Sequence, residues 1–312
     1  MKYCYANRRH TLYPNSYDNW NASPEAYDAA FLRKVAELGF EGIEIGFPAL
    51  DAVGDDESRL RAFGDRLRSA GVPAVSIRAG GSLVAARHYA DNRNKLLRMI
   101  RYAGMLGVGI VNGALSAPAR YPGKPGSATG WPVSQDASRD AMIYDYERLA
   151  EEFQKACDVA REEGVTISVE VHQNSLVDNS WSAKLIHELV DRPNFGINPD
   201  LGNIFWTYDV AEERIEDAIK ALAPISVYWH CKNLMRVYHP ENERSVFLRV
   251  PLPDGEIDYR FALSAMVEAN YPGYMAVEGM QVGDQFYLDG KSLQYAKQIV
   301  EELERRPGIA SI

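Results

Sequence analysis

Eight times in succession a short β-branched run is followed by a longer amphipathic segment, and this alternation limits the folds open to the 312-residue chain. The runs are KYCYA (2–6), GIEIG (42–46), AVSIR (74–78), GIVNG (109–113), TISVEV (166–171), FGINP (195–199), SVYWH (226–230) and YMAVEG (274–279). Between them lie segments with helical spacing of apolar residues, such as SPEAYDAAFLRKVAELG (23–39) and DDESRLRAFGDRLRSAG (55–71), and GKSLQYAKQIVEELERR (290–306) follows the last run. Gly39, Gly71 and Gly164 close three of these segments, where a left-handed C-cap is expected. Uninterrupted βα units predict an α/β fold, a single closed parallel (β/α)8 barrel over residues 1–312, rather than an open doubly wound sheet. A dinucleotide-binding sheet would want GxGxxG after its first strand, whereas NRRHTLYPNS follows KYCYA.

The connections are unequal. Those leaving the C-terminal ends of strands are long, at 7–24, 114–137, 231–256 and 280–289, and the returns from helix to strand are short. In a barrel the strand C-termini form the active face, so the added chain lies on one side. The stretch SAPARYPGKPGSATGWPVSQ (116–135) suits a lid or pocket wall, with Tyr121 and Trp131 available to stack on a ligand. An apolar fraction of 46% and a charged fraction of 25% describe an ordinary soluble globular protein. A net charge of −9 without a basic run excludes nucleic acid as a favoured partner. No apolar run approaches the roughly 18 residues of a membrane span, so a cytoplasmic protein is expected. The 3 cysteines, Cys4, Cys157 and Cys231, are odd in number and widely spaced, so neither a disulfide framework nor a thiolate zinc site is indicated.

Polar residues end the later strands. Strand five gives Glu170, strand six Asp200 in NPDLGN, strand seven His230 in YWHCKN, and strand eight Glu278 in MAVEG. Three carboxylates cannot crowd one rim while ionised unless a cation holds them, or else some must be protonated; a divalent metal is the economical answer. Mixed oxygen and nitrogen donors suit Mn²⁺ first, then Mg²⁺ or Co²⁺, with Zn²⁺ also accommodated. His172 lies two residues beyond Glu170 on the same strand face and is expected in the pocket wall rather than as a fifth ligand. Glu44, within GIEIG, is expected either to face the pocket or to form a structural ion pair.

Over nearly its whole length the chain resembles the xylose isomerase-like TIM-barrel superfamily, which includes sugar isomerases and epimerases, inosose dehydratase, the large subunits of C-glycoside deglycosidases and endonuclease IV. The matching motifs are LGFEGIEIG (38–46), VEVH (169–172), NPDLGN (198–203), YWHCKN (228–233), GEIDY (255–259) and MAVEG (275–279). The resemblance implies that Glu170, Asp200, His230 and Glu278 are metal ligands. It also implies substrate contacts for Lys232, in the HxK segment, and for Arg236, which matches a substrate-binding Arg of ketose epimerases. Asn203 stands where ketose 3-epimerases commonly carry His, which argues against a free-ketose 3-epimerase. Endonuclease IV needs several more His ligands than the 6 histidines here supply, and a DNA-facing surface that the acidic balance disfavours.

A metal flanked by two glutamates suits proton abstraction next to a carbonyl. The expected activity is therefore a divalent-metal-dependent sugar isomerase or epimerase, with Glu170 and Glu278 as the acid/base pair and a metal-stabilised enediolate between substrate and product. The alternatives are a lyase on the same scaffold, performing inosose dehydration or β-elimination of a 3-keto-C-glycoside, and a non-catalytic binding subunit. The expected ligand is a small sugar, inosose or glycoside, with Asn203 and Trp131 among its contacts. A homo-oligomer is expected, and a small partner subunit would accompany the deglycosidase alternative.

Overall fold

Alternation along each strand decides which side chains enter a barrel and which face its helices. The computed structural model describes residues 1–6, 9–12, 15–18, 23–84, 88–116, 137–173, 175–206, 211–241, 244–280 and 283–305, and the side chains of these except 9–18 and 244. Twelve strands are present among them: β1 (Lys2–Ala6), β2 (Arg9–Leu12), β3 (Asn15–Asp18), β4 (Gly42–Gly46), β5 (Ala74–Arg78), β6 (Ile110–Gly113), β7 (Thr166–Glu170), β8 (Phe195–Asn198), β9 (Trp229–Cys231), β10 (Asn233–His239), β11 (Arg244–Val250) and β12 (Tyr274–Glu278). Eight of these form one parallel sheet in the order β8-β7-β6-β5-β4-β1-β12-β9. Its ends meet through a parallel bridge between Ile197 and Ser226 and a hydrogen bond of 2.7 Å from His230 N to Asn198 Oδ1, which brings the barrel to near closure.

The period of two separates the barrel's two cores. Ile43, Ile45, Ile77, Val111, Ile167, Val169 and Ile197 pack outward with the apolar faces of the surrounding helices. Their neighbours Glu44, Ser76, Asn112, Ser168 and Asn198 are buried polar residues. A smaller apolar cluster of Cys4, Ala6, Val75, Tyr228 and Ala276 is separate from the main core. Helices begin where the sequence supplies an acceptor: Asp28, Asp56, Asp258 and Asp284 each receive a backbone N–H from the first turn. Gly39, φ 92°, is the left-handed cap of the helix Ala29–Leu38, while Gly71 and Gly164 adopt positive φ just past Ala70 and Glu163, the caps of their helices.

Three of the stretches expected as loops are more ordered than that. The 7–24 stretch carries the hairpin β2–β3, and 231–256 carries the hairpin β10–β11, in register Leu234↔Arg249, Met235↔Leu248, Arg236↔Phe247 and Val237↔Val246. The alternation in NLMRVYH and RSVFLRV is a strand pattern, which length alone had concealed. The 280–289 stretch already holds the start of the helix Gln285–Glu304, capped by Asp284. Residues 117–136, with Tyr121 and Trp131, lie outside the described residues. Two short helices, Phe47–Val53 and Leu201–Phe205, follow β4 and β8 directly.

One buried acid ties the first strand to the last helix. Asp289 Oδ2 accepts the Tyr5 hydroxyl at 2.6 Å, and Oδ1 accepts Met280 N at 2.9 Å. Burial pushes this carboxyl up to about 7, against the opposing pull of both hydrogen bonds and of Arg249. An unfolded Asp titrates near ~3.9, so between about pH 4 and pH 7 the native state holds a proton that the unfolded chain has lost. The stability this proton contributes is therefore complete below about pH 4 and is lost as pH rises through about 7. Asp289→Asn, which mimics the protonated acid, should remove up to about 3 kcal/mol of the wild type's stability loss between pH 5 and 8. Paired denaturation curves at the two pH values check this; equal losses in the two proteins would show that Asp289 is not the titrating group.

Candidate metal and acid/base site

Strand ends build the site. Glu170 is the last residue of β7, His230 the central residue of β9, and Glu278 the last residue of β12. Asp200 follows β8 and caps the helix Leu201–Phe205, accepting Asn203 N at 3.2 Å. The four share the C-terminal rim of the barrel, the face on which barrel enzymes place their chemistry.

The His230 imidazole organises this rim. Its Nε2 lies 2.9 Å from Glu44 Oε2, and Glu44 in turn pairs with Arg78 Nε at 3.0 Å; all three residues are buried. A carboxylate on Nε2 fixes a proton there, so Nδ1 is the nitrogen that gives up its proton and offers a lone pair when a cation enters. Nδ1 lies 3.5 Å from Glu170 Oε1 and 4.0 Å from Asp200 Oδ2, and it is a buried atom without a hydrogen bond among the described residues. Ligand atoms of Glu170, Asp200 and His230 all lie within 4.8 Å of one another. An unsatisfied buried imidazole nitrogen facing two carboxylates fits a divalent cation, which would supply the one partner the cluster lacks.

Glu278 stands apart from that triad, on the far side of an ammonium group. Lys232 Nζ is 2.6 Å from Asp200 Oδ2 and 2.6 Å from Glu278 Oε2, and all three side chains are buried. Gly202 makes room for the lysine, since a Cβ there would come within 2.4 Å of Lys232 Cγ. On its other side Glu278 Oε1 receives Arg249 Nη2 at 3.3 Å. Lys232 and Arg249 lie 5.4 and 5.5 Å from the centre of the Trp206 ring.

These contacts set the charge states. Burial works to raise the Glu170 carboxyl, but the adjoining His230 outweighs it and holds the group well below the usual carboxylate range. Burial pushes Asp200 up to about 7; Lys232 opposes this, while Glu278 and Glu170 add to it. Burial works to lower His230, yet Glu44 and Glu170 bring it up to about 9. A cation entering between these groups would replace protons.

The remaining expected residues do not share one position. Asn203 is buried, and its Nδ2 donates to Glu170 Oε1 and to Val171 O, each at 2.9 Å, so its contacts orient the glutamate. His172 is half-buried beside the rim, with Nδ1 2.9 Å from Gln173 O, and burial lowers its pKa against the pull of Glu170. Arg236 packs on two phenylalanines, its guanidinium 5.0 Å from the Phe205 ring centre and 5.3 Å from that of Phe247, with Nη2 donating to Phe205 O at 3.4 Å. Glu44 faces His230 from inside the barrel, and Trp131 lies outside the described residues. Arg78 was not singled out in the sequence, although it carries the signal used for the expected metal ligands, a charged residue ending an apolar strand.

The family model for the xylose isomerase-like TIM barrel matches residues 32–304. No curated protein matches in sequence. Among solved structures, a xylose isomerase-like TIM-barrel protein from Mycobacterium smegmatis in complex with magnesium has a TM-score of 0.76 at 23% identity, covering 97% of this chain and 98% of its own. An L-ribulose 3-epimerase has a TM-score of 0.71 at 19% identity, covering 94% and 95%. A probable 3-DHS dehydratase from Bacillus anthracis has a TM-score of 0.67 at 16% identity, covering 95% and 99%. With a family model matched across all but the ends of the chain, and a rim of acids and histidine at the strand C-termini, this protein belongs to the xylose isomerase-like TIM-barrel family.

Proposed function

We propose that the chain is a divalent-metal-dependent sugar isomerase or epimerase that abstracts a proton next to a carbonyl. The observation that carries this is the convergence of Glu170 and Asp200 on the unsatisfied Nδ1 of His230. Glu170, Asp200 and His230 would hold the ion, Mn²⁺ or Mg²⁺ by their donor types, and Glu278 would join them once the Lys232 ammonium moves aside. The ion, when bound, supplies Lewis acidity to a substrate carbonyl oxygen.

The chain's own groups handle the proton. Glu170 is held as the carboxylate, and Asn203 fixes its Oε1, so it is the group prepared to act as base. Glu278 is gripped by Lys232 and Arg249 from two sides and is the second acid/base group. Burial keeps His172 neutral beside them, as a hydrogen-bonding group for a substrate oxygen. The lyase alternative is favoured by one residue: Asn203, in the position where ketose 3-epimerases commonly carry His, is turned to Glu170 instead.

Metal binding is tested first, by calorimetric titration of the metal-free protein with Mn²⁺. Asp200→Ala should abolish tight binding, and Glu44→Gln should weaken it about 10–100-fold by releasing the ring that Glu44 orients. Unchanged affinity in Asp200→Ala would remove the ligand assignment.

The reaction is tested by incubating the Mn²⁺ form with D-fructose, an inosose and a 3-keto-glucoside in deuterated water. Solvent deuterium in an intact sugar supports isomerisation or epimerisation, and an unsaturated or fragmented product supports the lyase. Glu170→Gln and Glu278→Gln should each lower the rate about 10²–10⁴-fold. No exchange with any of the three by the metal-loaded protein would point to a binding subunit instead.

A further inference from the structure

The hairpin β10–β11 brings Arg249 to the rim, and two donors there are left over from the acid/base arrangement. Arg249 uses Nη2 on Glu278, but its Nη1 is buried and has no hydrogen-bond acceptor among the described residues. The indole Nε1 of Trp206, the ring over which that guanidinium lies at 5.5 Å, is a second buried donor in the same condition. Neither side chain has an acceptor atom of its own. Leaving such donors buried and unsatisfied is costly, because the lost hydration is not replaced. Two of them on stacked groups therefore point to an acceptor that arrives with a ligand.

The charge of the cluster says what kind of acceptor. Glu44, Asp200 and Glu278 contact Arg78, Lys232 and Arg249 directly, and Glu170 joins them through His230. Four carboxylates against three cations leave one negative charge when His230 is neutral. A divalent ion at the triad turns this into one positive charge, in a buried setting where an unbalanced charge is costly. A singly anionic ligand would balance it, and a guanidinium binds a carboxylate through short, charge-assisted hydrogen bonds.

We propose that Arg249, together with Trp206 Nε1, receives a carboxylate of the substrate, so that the chain acts on a sugar acid in preference to a neutral sugar. The proposal rests on the metal-dependent isomerase or epimerase assignment for its reaction and adds the substrate class. A competing occupant for Nη1 is one water: a cavity of about 10 Å³, bordered by Arg249, Lys232, Glu278 and Asp289, has room for a single molecule. Trp206 does not border that cavity, so such a water leaves the indole donor unanswered.

The test is calorimetric binding to the Mn²⁺-loaded protein of D-fructose and of two acids that match its chain, 2-keto-D-gluconate and D-fructuronate. At least one acid should bind tighter than D-fructose by about tenfold or more, the scale of one charge-assisted hydrogen bond. Arg249→Met should bring the preferred acid to within about twofold of D-fructose at unchanged metal content, and Arg249→Lys should restore part of the difference. Trp206→Phe, which keeps a ring and deletes the N–H, should weaken the acid severalfold more than the neutral sugar, and it serves if Arg249→Met does not fold. Equal binding of acids and D-fructose to the wild type, or an acid preference that survives Arg249→Met, overturns the proposal, the second outcome being the one a trapped water would give. Deuterium exchange separates the two levels. Acid binding through Arg249 without exchange of any substrate proton leaves this inference standing and removes the isomerase; exchange of D-fructose without an acid preference does the reverse.

Discussion

The hydrogen bond from His230 Nε2 to Glu44 decides which ring nitrogen faces the two acids, and the candidate metal site follows from it. Were the ring free to choose the other tautomer, Nδ1 would carry a proton and repel a cation. Glu44 cannot hold that position alone, because a lone carboxylate in the barrel interior is strongly disfavoured. Arg78, the last residue of the neighbouring strand β5, supplies the counter-charge at 3.0 Å. Removing one partner of such a buried pair typically costs about 3–5 kcal/mol, far more than the net value of the intact pair. Two adjacent strands thus orient an imidazole delivered from the opposite side of the sheet order, and they do so from behind, leaving the rim to ligand.

Lys232 has a different part in the same economy of charge. It lies between Asp200 and Glu278, at 2.6 Å from each, and separates the triad from the fourth acid. Its approach depends on Gly202, and its carbonyl oxygen accepts the hydroxyl of the buried Tyr259 at 2.8 Å. The backbone is therefore fixed, and the ammonium is held between its two acids. An ammonium between two acids keeps both carboxylates paired in a buried setting where a lone charge is costly.

Much of this was legible in the sequence, because barrels obey simple periods. The eight strands, their order and the rim positions of Glu170, Asp200, His230 and Glu278 follow from β-branched runs and the residues that end them. What was not legible is pairing across the barrel. Nothing in GIEIG or AVSIR says that Glu44 and Arg78 will meet, or that both will stand behind a histidine more than 150 positions away, since closure of the sheet creates that contact. Asn203 shows the same limit: its spacing from Asp200 marks it as a site residue, while its bond to Glu170 on another strand decides what it does there.

The hairpin β10–β11 shows why an insertion's length is a poor guide to its use. Its alternation gives it two faces. Met235, Val237, Val246 and Leu248 form an exposed apolar face, while Arg236, Phe247 and Arg249 turn toward Phe205 and Trp206 at the rim. A loop of the same length could reach the rim, but it would hold no side chain there without a fresh entropic cost for each one. A paired ribbon orders both strands at once, and the alternation then places every second residue on the site. The barrel strands supply the acids and the histidine of the rim. The ribbon adds Arg236, Phe247 and Arg249 to that rim without altering the strands, and such an addition is one way a fold can vary its sites while its frame stays in place.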